Sequence, residues 1–172
     1  SVSIQRQVLQ IAEGHFGAGH VRTVLIRNNL AVALIRLKQN DEAARLLTAN
    51  YEAAGKLGDE GVQLRVMAAG SLGAGLDEGG DRAKLWLHRA ETQGRAAFRD
   101  DHSQRIHLAS YYGRFLIAEP GGLPLARTLL REAGQRVLAR ASAGAGFDAR
   151  AQQELAGFTV VFRDQVRAAW QL

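Results

Sequence analysis

The side chains that could do chemistry are few and far apart. Asp100-Asp101-His102 places three metal-ligating groups in a row. His15 and His20 are five residues apart, as are His102 and His107. On one helix that spacing turns the rings about 140° from each other, so neither pair can share an ion as an i, i+4 pair can. The Asp-Asp-His run suits a helix cap and the turn before it equally well, and no metal is expected. Ala69-Gly70-Ser71-Leu72-Gly73 is one residue away from the Gly-x-Ser-x-Gly nucleophile elbow. An elbow sits between a strand and a helix. No strand precedes this one, and small residues in a tightly packed helix account for it. Gly73-Ala74-Gly75 lacks the glycine spacing and the Gly-Lys-Ser/Thr of a phosphate loop. No nucleophile with base and orienting group, and no acid pair, can be placed. The chain reads as non-catalytic and free of cofactors.

Binding chemistry is better represented. Asn28 and Asn29 stand together in a helical stretch, against their helix propensity. One amide carries both donor and acceptor, which suits a peptide unit. Arg127, Arg131, Arg136 and Arg140 share one expected helix with a single acid, Glu132. By angle they form two pairs on different sides, so they read as a solvated face. Together with Arg150 they carry the alternative reading, a nucleic-acid-binding module. The overall charge speaks against that alternative. There are 22 basic and 17 acidic side chains, a balance of +5. The first half, to residue 86, holds 10 basic and 9 acidic; the second holds 12 and 8. The bias is mild for a nucleic-acid footprint.

The elements that must position these groups are helices. Apolar residues make up 47% of 172, enough for a packed core. No apolar run approaches the roughly 20 residues of a membrane span. The absence of cysteine excludes disulfides, thiolate metal sites and thiol nucleophiles, and leaves the choice between cytosol and periplasm open. Ile4, Val8, Ile11 and His15 step by 4, 3 and 4; Phe147, Ala151, Leu155, Phe158, Phe162, Val166 and Trp170 step by 4, 4, 3, 4, 4 and 4. Glycines punctuate the rest, and Pro124 suits the first turn of a helix. Eight helices are expected, near 3–16, 20–37, 41–55, 60–77, 80–97, 102–118, 122–141 and 148–171. Asn40-Asp41-Glu42, Asp101-His102-Ser103 and Phe147-Asp148 look like helix starts.

The pattern repeats. Phe16-Gly17-Ala18-Gly19-His20, Leu57-Gly58-Asp59-Glu60-Gly61 and Phe98-Arg99-Asp100-Asp101-His102 fall 41 residues apart, with a weaker fourth junction at Phe147. Ala43/Leu46/Leu47, Ala83/Trp86/Leu87 and Ala126/Leu129/Leu130 recur between them. A helix pair at a fixed period buries its apolar face by stacking on its neighbours. Asn28-Asn29-Leu30-Ala31-Val32-Ala33-Leu34-Ile35-Arg36-Leu37, followed by Asp41-Glu42-Ala43-Ala44-Arg45-Leu46-Leu47, resembles a tetratricopeptide repeat (TPR). The longer period is similar to the kinesin-light-chain-like variant. Gly70-Ser71-Leu72-Gly73-Ala74-Gly75 and Pro120-Gly121-Gly122 depart from the family pattern.

The resemblance implies an all-α fold, a right-handed superhelix of stacked antiparallel hairpins in a single domain, 1–172. Residues 1–16 would be an orphan second helix, 20–56, 60–97 and 102–141 the hairpins, and 148–171 a capping helix. It implies a scaffold that binds a protein or peptide, with first helices lining a concave groove. Asn28 and Asn29 are the ligand contacts it suggests, with Arg36, Arg65, Tyr111 and Arg114 giving the groove cationic and aromatic character for an acidic or C-terminal carboxylate ligand. A regulatory or sensor region of a larger bacterial signalling protein, such as a serine/threonine kinase or transcription regulator, is the expected setting. The arginine-over-lysine bias fits a GC-rich genome. The first helix, read as cut from its partner, should expose Ile4, Val8 and Ile11 and either form a homodimer or fray.

Overall fold

In a computed structural model of the chain, residues 1–75, 80–142 and 149–170 are described. The described residues are helical, without strands. The helices are α1 (Val2–Phe16), α2 (Val21–Arg36), α3 (Asn40–Gly55), α4 (Asp59–Gly75), α5 (Gly80–Ala97), α6 (Ser103–Ile117), α7 (Leu123–Ser142), α8 (Ala149–Gly157) and α9 (Thr159–Trp170). Packing groups the chain into two compact units, Ser1–Gln93 and Gly94–Leu172. The fold is all-α, with sequence neighbours stacked on each other: α1 on α2, α2 on α3, α3 on α4, and α6 on α7. One expected helix is in fact two. The stretch 148–171 breaks at Gly157-Phe158, giving nine described helices rather than eight. There the Phe158 N–H donates to the Leu155 carbonyl and the Val161 N–H to that of Phe158, short-range bonds that turn the chain. The Phe147 junction lies outside the described residues.

The repeated Phe-x-x-x-His junctions have one local structure. His20 caps α2: its Nδ1 accepts the Arg22 backbone N–H at 3.2 Å. His102 caps α6 in the same way through the Gln104 N–H, also at 3.2 Å. Each ring stacks on the phenylalanine four residues earlier, at 5.0 Å for Phe16 and 4.6 Å for Phe98. The caps satisfy helix donors that would otherwise lack a partner. α3 starts differently from the sequence expectation. Asn40 lies inside the helix, preceded by Gln39 without a side-chain cap. The turn before it is a Schellman motif, with Lys38 at φ 60° and the Gln39 N–H bonded to the Leu34 carbonyl.

The core of the first unit is Leu9, Leu30, Ala31, Leu34, Ala43, Leu47 and Leu72. The repeated alanines Ala43, Ala83 and Ala126 are all buried, as are Leu47, Leu87 and Leu130 beside them. The glycine-rich stretch from Gly70 does not interrupt α4. A Cβ on Gly73 would lie 2.6 Å from Leu87 Cγ and 2.8 Å from the Leu87 nitrogen. One on Gly75 would meet Ile35 at 2.5 Å. The glycines are where other helices come close.

One buried polar cluster ties the first unit together. Arg27, 4% exposed, donates from Nη1 to Asn50 Oδ1 at 3.1 Å. Its Nη2 donates to Glu13 Oε1 at 2.7 Å and to the Ala18 carbonyl at 3.1 Å. Asn50 Nδ2 in turn donates to the Val24 carbonyl at 2.9 Å. Asn50→Ala would strand a buried cation donor, while the Val24 carbonyl keeps its bond within α2. We expect it to cost about 2 kcal/mol, read by denaturant unfolding; a loss below a few tenths would remove the cluster's structural role. Gly73→Ala is expected to lose about 1–3 kcal/mol through overpacking against Leu87, read by the same unfolding.

Candidate functional site

The residues named from the sequence fall in two places. In the first unit, α2 buries one face and exposes another. Asn28 is 8% exposed, and its Oδ1 has no protein partner. Asn29, one residue on and therefore rotated by about 100°, is exposed. Leu25 is 41% exposed on the same side, Val32 is half-buried and Arg36 is exposed. The outward face of α2 is thus Leu25, Asn29, Val32 and Arg36, and Asn28 is not on it. Arg65 joins no such face. Its guanidinium lies 4.4 Å over the Tyr51 ring of α3, and it is half-buried.

In the second unit Tyr111 and Arg114 do come together. Tyr111 is 38% exposed and stacks on His107 at 6.0 Å, with the Arg114 guanidinium 6.0 Å over its ring. Arg114 Nε donates to Asp164 Oδ2 of α9 at 2.6 Å, and Asp164 is 2% exposed. Arg163 also lies 3.7 Å from Asp164. The His107 ring packs on Phe158 at 4.9 Å. Burial holds its pKa below the ordinary 6.5 of an imidazole.

Sequence reasoning missed Leu25, His107, Phe158 and Asp164, and one signal could have found two of them. His102 follows His20 by 82 residues, and both cap a first helix. At the same offset Leu25, Asn29 and Val32 become His107, Tyr111 and Arg114. The two helices present equivalent faces with different chemistry, apolar and amide on α2, aromatic and cationic on α6.

The other candidates resolve into packing. Arg127 Nε donates to the Ala168 carbonyl at 2.9 Å, among the last carbonyls of α9, where a cation is favoured. Arg136 pairs with Glu132 at 3.3 Å, and Arg140 donates to the Asp101 carbonyl. Arg131 is exposed, and the side chain of Arg150 lies outside the described residues. The four helix-borne arginines do not form one face. Asp100 pairs with Arg105, Asp101 with Arg99, and His102 caps its helix. Among the described residues, no three His, Asp or Glu converge as metal ligands. Ser71 sits inside α4, beside a narrow cleft also lined by Ile35, Asn40 and Leu47 that has no enclosed space even for a water-sized molecule, whereas small-molecule sites enclose roughly 300–1,000 Å³. No described helix is long and apolar enough to cross a membrane. Ile4, Val8 and Ile11 of α1 are exposed, as the sequence led us to expect.

A scan against models of known protein families finds no match to this chain, and a search of curated proteins finds none either.

His107 gives the second unit a pH dependence. The folded ring takes its proton at lower pH than the unfolded ring. Its contribution to stability is therefore complete above about pH 6.5 and falls as acid protonates the unfolded chain first. His107→Gln should flatten the acid limb of the stability curve relative to wild type. Parallel curves below pH 6.5 in paired denaturant titrations would contradict this.

Proposed function

We propose that the chain is a non-catalytic, tetratricopeptide-like scaffold that binds a protein or an extended peptide through its first-helix faces. The observation that carries the reading is the outward face of α2, where exposed Leu25 stands four residues before exposed Asn29 and eleven before exposed Arg36. An apolar contact, a donor–acceptor amide and a guanidinium on one helix suit a peptide with an apolar side chain and a carboxylate. The helix beneath is held by the Arg27 cluster, so its backbone is ordered before binding and only the exposed side chains must be fixed. A place within a larger signalling protein fits such a scaffold. Homodimerisation through the exposed stripe of α1 belongs to the same reading as a second, separate contact.

The test is a pull-down from nuclease-treated lysate. Wild type is compared with Leu25→Glu/Asn29→Ala, after circular dichroism shows equal helicity. A protein retained by wild type and lost by the double variant is the expected outcome. Asn29→Ala alone should weaken capture about five- to tenfold, the worth of one or two hydrogen bonds. Equal capture by both proteins would remove the α2 face from the site. Capture that needs intact nucleic acid would replace the reading with the arginine-based alternative, whose affinity falls steeply with salt.

A further inference from the structure

α9 is held firmly on one side and bare on the other. Val161, Asp164 and Ala168 are buried, and the helix packs mainly on α7. Arg127 Nε donates to the Ala168 carbonyl, and a Cβ on Gly134 would meet Gln165 and Phe162. At 100° per residue, the direction opposite the three buried residues falls between Val166 and Trp170. Thr159, Arg163 and Arg167 lie within about 90° of that direction. All five side chains are exposed, Trp170 most of all.

The charge on this face has one sign. Asp164 is the single acid of α9, and it is buried and bonded to Arg114. Arg163 lies 3.7 Å from that carboxylate and is still 70% exposed. Among the described residues Arg167 pairs with no acid. Two like charges four residues apart on a helix repel each other. An exposed tryptophan and two arginines with one buried carboxylate between them gain more from an acidic, apolar neighbour than from water.

We propose that the outer face of α9 docks a helical segment of a partner protein, one whose apolar stripe covers Val166 and Trp170 and whose edge carries two carboxylates one turn apart. Four helical residues rise about 6 Å, so carboxylates at i and i+4 match Arg163 and Arg167. Tryptophan and arginine are the residues on which protein interfaces most often depend. Helix against helix is also how α9 already packs on α7. Charge complementarity selects this occupant over the others. A second copy would set arginines against arginines. A lipid surface is held by apolar area, and one tryptophan with one valine supplies little. A nucleic-acid duplex would lay phosphates over Val166 and Trp170, and two arginines release few counterions.

The probe is a fluorescein-labelled synthetic helical peptide with a leucine stripe edged by glutamates at i and i+4. Its lysine-edged twin is the control, and the full chain is titrated by fluorescence anisotropy. The wild type should bind the glutamate peptide saturably and leave the lysine peptide unbound. Trp170→Ser and Arg163→Gln/Arg167→Gln should each weaken binding at least about tenfold, with unchanged helicity by circular dichroism. These side chains are exposed, so the variants test the face and not the core. Leu25→Glu/Asn29→Ala should bind the peptide like wild type, which keeps this face distinct from that of α2. Absence of saturable binding up to about 1 mM would overturn the proposal, as would equal binding of both peptides or by all variants. Dimerisation in sedimentation that Trp170→Ser abolishes would overturn it in favour of a second copy. Binding to phosphatidylserine vesicles with the same dependence on Trp170, without peptide binding, would overturn it in favour of a lipid surface.

Discussion

A guanidinium removed from water must find acceptors for its donors, and Arg27 finds them in three parts of the chain. Glu13 belongs to α1, Ala18 to the junction after it, and Asn50 to α3. The hairpin of α6 and α7 reaches the same end by another route. Eighty-two residues after Glu13 and Asn50 stand Arg95 and Glu132, which bond each other directly at 3.1 Å. The position of Arg27 is taken there by Ala109, which is buried. In both units a polar link ties the helix before the junction to the second helix of the hairpin. One unit uses a buried relay; the other a half-exposed ion pair. Loss of Asn50 leaves part of the buried Arg27 guanidinium unpaired, whereas Glu13, 42% exposed, and the half-exposed Arg95–Glu132 pair can fall back on water. The first unit is therefore the more sensitive to single polar substitutions at this level.

That rigidity matters for binding because the α2 face has no other preparation. Its residues are ordinary: a leucine, an asparagine, a valine and an arginine. What makes them a surface is that the opposite side of the helix is fixed by Leu30, Leu34 and the Arg27 cluster. On α6 the equivalent positions are His107, Tyr111 and Arg114. Two of them are tied within the unit, His107 to Phe158 and Arg114 to Asp164, while Tyr111 stays 38% exposed. The same helix positions thus carry an apolar and amide face in one unit and an aromatic and cationic face in the other.

Much of the fold is legible in the sequence because helical stacking leaves a periodic record. The small–large triplets at Ala43, Ala83 and Ala126 mark close helix approaches, and the structure puts each alanine in the core. The junction histidines carry a shared role as caps. Asn28 and Asn29 were harder. Neighbouring residues on a helix point about 100° apart, so one pair of amides cannot serve one groove. A pair of asparagines states an anomaly, and only the register against the core says which one is free. Arg65 was illegible for a different reason. Its long stem reaches back to Tyr51 and past Gly55, whose would-be Cβ lies 3.6 Å from the guanidinium carbon. Side-chain reach is not written in spacing.

The C-terminal stretch shows where spacing misleads by arithmetic. Phe158, Phe162, Val166 and Trp170 follow each other by four residues, which looks like one apolar face. Each step of four advances the helix about 40° past a full turn. Three such steps rotate the stripe by about 120°, so a straight helix cannot bury all four against one neighbour. The exposures follow that rotation: Phe158 is buried, Phe162 half-buried, Val166 58% exposed and Trp170 81% exposed. Before Phe158 the step is three, which turns the stripe back by about 60°. The break at Gly157-Phe158 falls at that change of sense. A stripe that wraps around its helix ends by facing outward, and here it delivers Phe158 and Asp164 to α6 while leaving Trp170 free of the core. The end of the helix is held on its other side, by Ala168 in the core and by the Arg127 guanidinium on the Ala168 carbonyl.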